Sequence, residues 1–131
     1  MYFANGSVQG DGHHGSTKLH MDLTDAQNIM LYAADFGDGK PGCANWAIFR
    51  PEDADLIREF ARKRVLQGPG DAIHSQNIYL SPSMLHILAE EYNIRPYIID
   101  QYPLQSVCIP AGCPHQVWLF MCHLRADCEL P

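Results

Sequence analysis

Along most of the chain, hydrophobic residues come in runs of three or four, set off by Gly, Pro and Asn. Only two stretches carry them at helical spacing. From Ser16 to about Ala34 the pattern is strand-like, and Ile29-Met30-Leu31-Tyr32 reads as a short buried run. Gly37 to Gly42 has turn chemistry and predicts a loop. Trp46-Ala47-Ile48-Phe49 is a further strand candidate. Pro51-Glu52-Asp53-Ala54-Asp55 then opens a helix, with proline early, acids in the first turn, and Arg62, Lys63 and Arg64 in the last. Its apolar stripe is Ala54, Ile57, Phe60, Ala61 and Val65, and Gly68-Pro69-Gly70 ends it. Residues 73–80 fit neither period. Ser81 is placed to cap a second helix with Pro82 at its first position. Met84, Leu85, Leu88, Ala89 and Tyr92 would face the core, His86 lies off that face, and Asn93 suits a left-handed end. Tyr97-Ile98-Ile99, a turn near Pro103, Val107-Cys108-Ile109, a sharp Pro110–Pro114 turn and His115-Gln116-Val117-Trp118 complete a mainly β pattern with two inserted helices.

At 131 residues the chain holds at most one domain, and 47% hydrophobic against 18% charged residues allows a sizeable core. No apolar run reaches the roughly 18 residues of a membrane span, and the first residues lack the basic-then-apolar order of a secretory signal. A formal net charge of −6 argues against wide contact with nucleic-acid phosphates and suits a basic peptide partner. Five cysteines without paired spacing read as reduced thiols. A zinc site drawn from Cys108, Cys113, His115, Cys122, His123 and Cys128 lacks the C-x-x-C pairs of zinc modules. His13-His14 sits in a glycine-rich loop and reads as solvated.

The residues that change the picture are His20-x-Asp22. In an extended strand, side chains two apart share a face, so an imidazole and a carboxylate converge on one spot. Two histidines and one carboxylate with open positions are the ligand set of non-haem Fe(II) oxygenases. The candidate third ligand is His115. It begins a strand straight after a Pro/Gly turn, where the backbone is fixed and the ring can be aimed. It lies 93 residues beyond Asp22 (115 − 22) and so comes from a different strand. On spacing alone, a histidine near an apolar strand is more often a core or surface residue than a ligand.

Four stretches in order resemble the JmjC-domain family. They are Gly15-Ser16-Thr17-Lys18-Leu19-His20-Met21-Asp22-Leu23-Thr24-Asp25-Ala26 with Asn28-Ile29-Met30, Trp46 to Phe60, Ile73 to Leu80, and Ile109 to Val117. Within that family the pattern is similar to the histone lysine demethylase branch that includes hairless-type proteins. The resemblance implies a cupin-like jelly roll, the double-stranded β-helix, with His20, Asp22 and His115 as catalytic iron ligands. It implies Fe(II) as cofactor and 2-oxoglutarate as cosubstrate. The activity implied is oxidative N-demethylation of a methylated histone tail peptide or another protein, releasing formaldehyde and succinate in the nucleus. Thr17 matches a position that bonds the distal 2-oxoglutarate carboxylate; a regular strand would turn it away from His20, so a bulge or twist is expected between them. Asn28 matches a contact to the cosubstrate's proximal end. Two positions before Trp46, where some members carry a lysine for the distal carboxylate, stands Ala44; Lys40 is the nearby basic candidate. The similarity runs from about Tyr2 to Val117, and Leu119 replaces an expected Asn. The expectation is therefore a partial JmjC domain over 1–117, a divergent tail over 118–131, and an incomplete barrel with exposed strand edges and weak activity. A catalytically inactive remnant serving as a chromatin interaction module, and a JmjC protein hydroxylase, are the alternatives.

Overall fold

The computed structural model describes residues 17–34, 42–66 and 70–120. Among the described residues, six strands and two helices follow one another as β1 (Thr17–His20), β2 (Ala26–Ile29), β3 (Cys43–Ile48), α1 (Ala54–Arg64), α2 (Pro82–Tyr92), β4 (Tyr97–Gln101), β5 (Ser106–Ile109) and β6 (His115–Phe120). A short 3-10 turn, Pro51–Asp53, leads into α1. Neither helix is long and apolar enough to cross a membrane.

The helix ends follow from local chemistry. At α2, the Ser81 hydroxyl accepts the Met84 N–H, Pro82 occupies the first turn, and Asn93 takes the left-handed conformation (φ 53°, ψ 33°). At α1, Asp55 lies in the first turn and Arg62, Lys63 and Arg64 in the last, matching the helix dipole. The expected α1 stripe is buried at Ala54, Ile57, Phe60 and Ala61. His86 is exposed, as its off-face position implies. Residues 73–80 form turns followed by an extended run without regular pairing.

The strands make two antiparallel layers. A four-stranded sheet has the order β1-β6-β3-β4, and β2 pairs with β5 in a separate ribbon. The sheet is apolar on both faces because each face covers a different partner. Leu19, Ala47 and Phe49 point toward the helices and meet Ile57, Phe60, Ile73, Leu80 and Leu88. Ala44, Trp46, Ile48 and Val117 point the other way and meet Val107 and Ile109 of the ribbon. The result is helices on sheet on ribbon, mainly β with two helices inserted.

The run Ile29-Met30-Leu31-Tyr32 is not buried. Ile29 is 56% exposed, Leu31 68% and Tyr32 79%, while Met30 packs against the inner cluster. The reason is the ribbon. It has one covered face, so strand alternation sends Ala26, Asn28 and Met30 inward and Ile29 and Leu31 outward.

Candidate metal centre

β1 and β6 lie side by side, and this pairing brings together residues far apart in sequence. His20 stands opposite His115, and Thr17 opposite Val117. Three residue steps on β1 therefore match two on β6, which requires an extra residue, a bulge, between Thr17 and His20. His115 and Val117 share a face of β6, so their partners Thr17 and His20 share that face too. The bulge expected from the sequence is present.

Both imidazoles are oriented by the same local device. His20 Nδ1 lies 2.8 Å from the Lys18 carbonyl and His115 Nδ1 3.0 Å from the Cys113 carbonyl, each two residues back. A carbonyl only accepts, so each Nδ1 carries a proton, and Nε2 is the ring nitrogen left to face the other ligand atoms. The two rings lie 4.1 Å apart between centroids, tilted by 54°. β1 ends at His20, so Asp22 lies just past the strand rather than within it. It is held there by the Pro110–Pro114 turn. Gly112 N–H donates to the Asp22 carbonyl at 2.9 Å, and Ala111 N–H donates to Asp25 Oδ1 at 2.8 Å. Gly112 has φ 77°, a left-handed value that a side chain would strain. From the other side, Phe49 N–H donates to the Pro114 carbonyl at 2.8 Å. The turn thus ties the start of β6 to the segment carrying Asp22.

One ligand atom from each of His20, Asp22 and His115 lies within 4.8 Å of the other two. Asp22 Oδ2 is 3.9 Å from His115 Nε2, and its side chain is 40% exposed. His115 is 3% exposed and sits against Trp46, with ring centroids 6.0 Å apart and planes within 29°. Burial, with a smaller contribution from His20, pushes the His115 ring below its ordinary pKa, against opposing pulls from the Cys113 carbonyl and Asp22. It is therefore neutral at physiological pH, which is the ligating form. The donor set of two imidazoles and one carboxylate, open on the Asp22 side, suits a divalent first-row metal such as Fe(II).

The other sequence candidates fall in different places. Thr17 is half-buried on the His20 face of β1. Asn28 faces inward from β2 but is exposed to solvent, and its Oδ1 accepts from Gln101 Nε2 at 3.1 Å. Lys40, His13, His14, Cys122, His123 and Cys128 lie outside the described residues. Cys108 is exposed on β5 and Cys113 is a buried free thiol. Burial, then Glu52 and Asp25, raise the Cys113 thiol pKa and keep it protonated, unlike a metal-bound thiolate. Among the described residues, neither cysteine joins His115 in a metal-binding group. Residues missed from sequence are Gln101 and Gln116, both fully buried amides. Their only signal is an uncharged amide within a short, mostly apolar strand.

The family model of the JmjC domain, described as a hydroxylase, matches residues 13–123. Lysine-specific demethylase 3A of Homo sapiens is 33% identical over 153 residues, spanning 89% of this chain and 12% of that protein. Lysine-specific demethylase 3A of Gallus gallus is 34% identical over 154 residues, with the same shares of 89% and 12%. Lysine-specific demethylase 3 of Drosophila melanogaster is 34% identical over 153 residues, 89% of this chain and 18% of that protein. The chain thus spans less than a fifth of the curated relatives it matches.

Proposed function

The chain belongs to the JmjC-domain family, whose fold is a cupin-like jelly roll, and from that premise we propose that it is an Fe(II)- and 2-oxoglutarate-dependent oxygenase that demethylates lysine in a histone tail. The convergence of His20, Asp22 and His115, with ligand atoms within 4.8 Å of one another, carries this reading. The relatives named as lysine-specific demethylases supply the substrate class. A chromatin-bound substrate implies nuclear residence.

In this reading His20, Asp22 and His115 hold the iron and leave positions open for cosubstrate and oxidant. With iron and 2-oxoglutarate bound, dioxygen would be the oxidant, one oxygen atom going into succinate as 2-oxoglutarate loses carbon dioxide and the other hydroxylating an N-methyl group that leaves as formaldehyde. The chain's own residues do the positioning. The Lys18 and Cys113 carbonyls fix both imidazoles with Nε2 outward, an arrangement that raises ligand basicity. Burial of His115 keeps it unprotonated and water away from one side of the centre. The bulge turns Thr17 to the His20 face, and its hydroxyl is the donor proposed for the distal carboxylate. Asn28 stands on the inner face of the ribbon as a second donor. Lys40 is the basic residue proposed for the distal carboxylate.

The test is incubation with Fe(II), 2-oxoglutarate and a histone H3 tail peptide carrying methylated lysine. Equal formaldehyde and succinate, both lost in Asp22→Ala, is the expected result. Succinate with a hydroxylated peptide and no formaldehyde would replace demethylation by protein hydroxylation. Neither product would leave the inactive interaction module.

A further inference from the structure

The ribbon and the four-stranded sheet are stapled by one side chain. Gln101, at the end of β4, is 1% exposed. Its Oε1 accepts from Trp46 Nε1 at 2.9 Å. Its Nε2 lies 3.1 Å from each of three oxygens, the Asn28 carbonyl, Asn28 Oδ1 and the Gln105 carbonyl.

The orientation of each amide in this chain is dictated by chemistry. An indole N–H only donates, so the Gln101 atom facing Trp46 must be the oxygen. The Gln101 nitrogen must then face β2 and the Gln105 carbonyl, both of which offer carbonyls that only accept. The Asn28 atom facing that nitrogen must in turn be its oxygen. Asn28 is left presenting its Nδ2, a pure donor, to the remaining space. Asn28 is opposite Val107 and shares the inner face of the ribbon with Ala26 and Met30, yet its side chain is exposed. That exposure leaves an opening, here the cleft, on the ribbon face that packs on Trp46, the ring against which His115 stacks.

We propose that Gln101 is a positioning residue for a carboxylate cosubstrate. Through Trp46–Gln101–Asn28 it locks the Asn28 amide with its N–H end toward the cleft, so that a carboxylate or keto oxygen meets a donor and not a carbonyl. The proposal rests on the 2-oxoglutarate reading above. It assigns Gln101 no contact with metal or cosubstrate.

Replacing Gln101 by Glu reverses the lock. A carboxylate still accepts from Trp46 but leaves the Asn28 and Gln105 carbonyls without their donor, while the Asn28 amide flips to give its nitrogen to Glu and its oxygen to the cleft. Gln101→Met removes the donor without charge and leaves Asn28 free in both orientations. Asn28→Asp puts an acceptor at the cleft permanently.

The measurement is calorimetric titration of the full chain, first with Co(II) and then, Co(II)-loaded, with 2-oxoglutarate. Expected are a loss of about 10- to 100-fold in 2-oxoglutarate affinity for Q101E and N28D, and a smaller loss of about 3- to 10-fold for Q101M, sized from the same outer-shell effect. Co(II) affinity should stay within about twofold. Q101E combined with N28D should bind no more weakly than N28D alone, because both act on one amide. Should Q101E fail to fold, Q101M alone decides. Unchanged 2-oxoglutarate affinity in Q101M overturns the proposal, as does a parallel loss of Co(II), which marks a purely structural role. Wild-type protein that binds Co(II) but not 2-oxoglutarate overturns the cosubstrate reading and this proposal with it.

Discussion

Replacing Gln116 by leucine should separate the framework of the site from its chemistry. Gln116 is the neighbour of His115 on β6, but alternation turns it to the opposite face, where it is completely buried. Its Oε1 accepts the Leu80 N–H and its Nε2 donates to the Leu80 carbonyl, both at 2.9 Å. One side chain thus takes the place of a strand partner and ties the extended segment before α2 to the sheet. Leucine matches the volume but leaves one buried N–H and one buried carbonyl unpaired. Each unpaired group costs about 1–3 kcal/mol, partly offset by about 1 kcal/mol from burying leucine in place of an amide. The net loss is about 1–5 kcal/mol. With a urea slope of about 2 kcal/mol per M for a chain of this size, the midpoint should fall by about 0.5–2.5 M at unchanged slope. Co(II) affinity of the folded fraction should hardly move, since the mutated side chain points away from His20 and Asp22. A midpoint shift under about 0.3 M would refute the account of the Leu80 bridge. Loss of metal with no loss of stability would refute the claim that the two faces of β6 do separate work.

The remaining predictions concern the turns. Gly112→Ala should lower stability by about 1 kcal/mol, because φ is 77° while the added Cβ would meet only Pro51 Cβ at 3.8 Å, an ordinary contact. Thermal melting should register a fall of about 3–5 °C, and no change in melting would mean that the turn relaxes freely. Asp71→Ala should remove the cap of the 71–75 turn. Burial works against ionisation there, but the backbone N–H groups of His74 and Ile73, the His74 ring and Arg58 outweigh it and hold the carboxyl at about 2 against an ordinary 3.8. A depressed carboxylate stabilises the fold above its unfolded pKa, and that contribution disappears as pH falls from about 4 to about 2. Because the Asp71 side chain is 39% exposed, solvent screening reduces its contribution to about 1 kcal/mol. Urea midpoints of wild type and D71A should therefore differ at pH 6 and converge toward pH 2, and parallel curves would contradict the assignment.

Local chemistry carried much of the fold into the sequence. Ser81, Pro82 and Asn93 bracket α2 because capping is settled within four residues. The α1 stripe is legible because helical spacing alone sets which side chains reach the core. The candidate ligands were legible in part. His20-x-Asp22 and the turn before His115 are local signals, whereas their meeting depends on β1 lying beside β6, a pairing across 95 residues (115 − 20). The bulge could be inferred because Thr17 had to share a face with His20. Ile29–Tyr32 misled because an apolar run does not reveal how many of its faces are covered. Gln101 and Gln116 were illegible for a related reason. A buried amide is explained only by partners such as Trp46 and Leu80, 55 and 36 residues away.

The central claim is that His20, Asp22 and His115 form one metal centre. Its most direct test is titration of the purified chain with Co(II), followed by visible absorption, in wild type and in His20→Ala, Asp22→Ala and His115→Ala. The account predicts one Co(II) per chain in wild type, with affinity reduced at least about 10-fold in every single variant. Absence of wild-type binding, or full affinity in H115A, would contradict it.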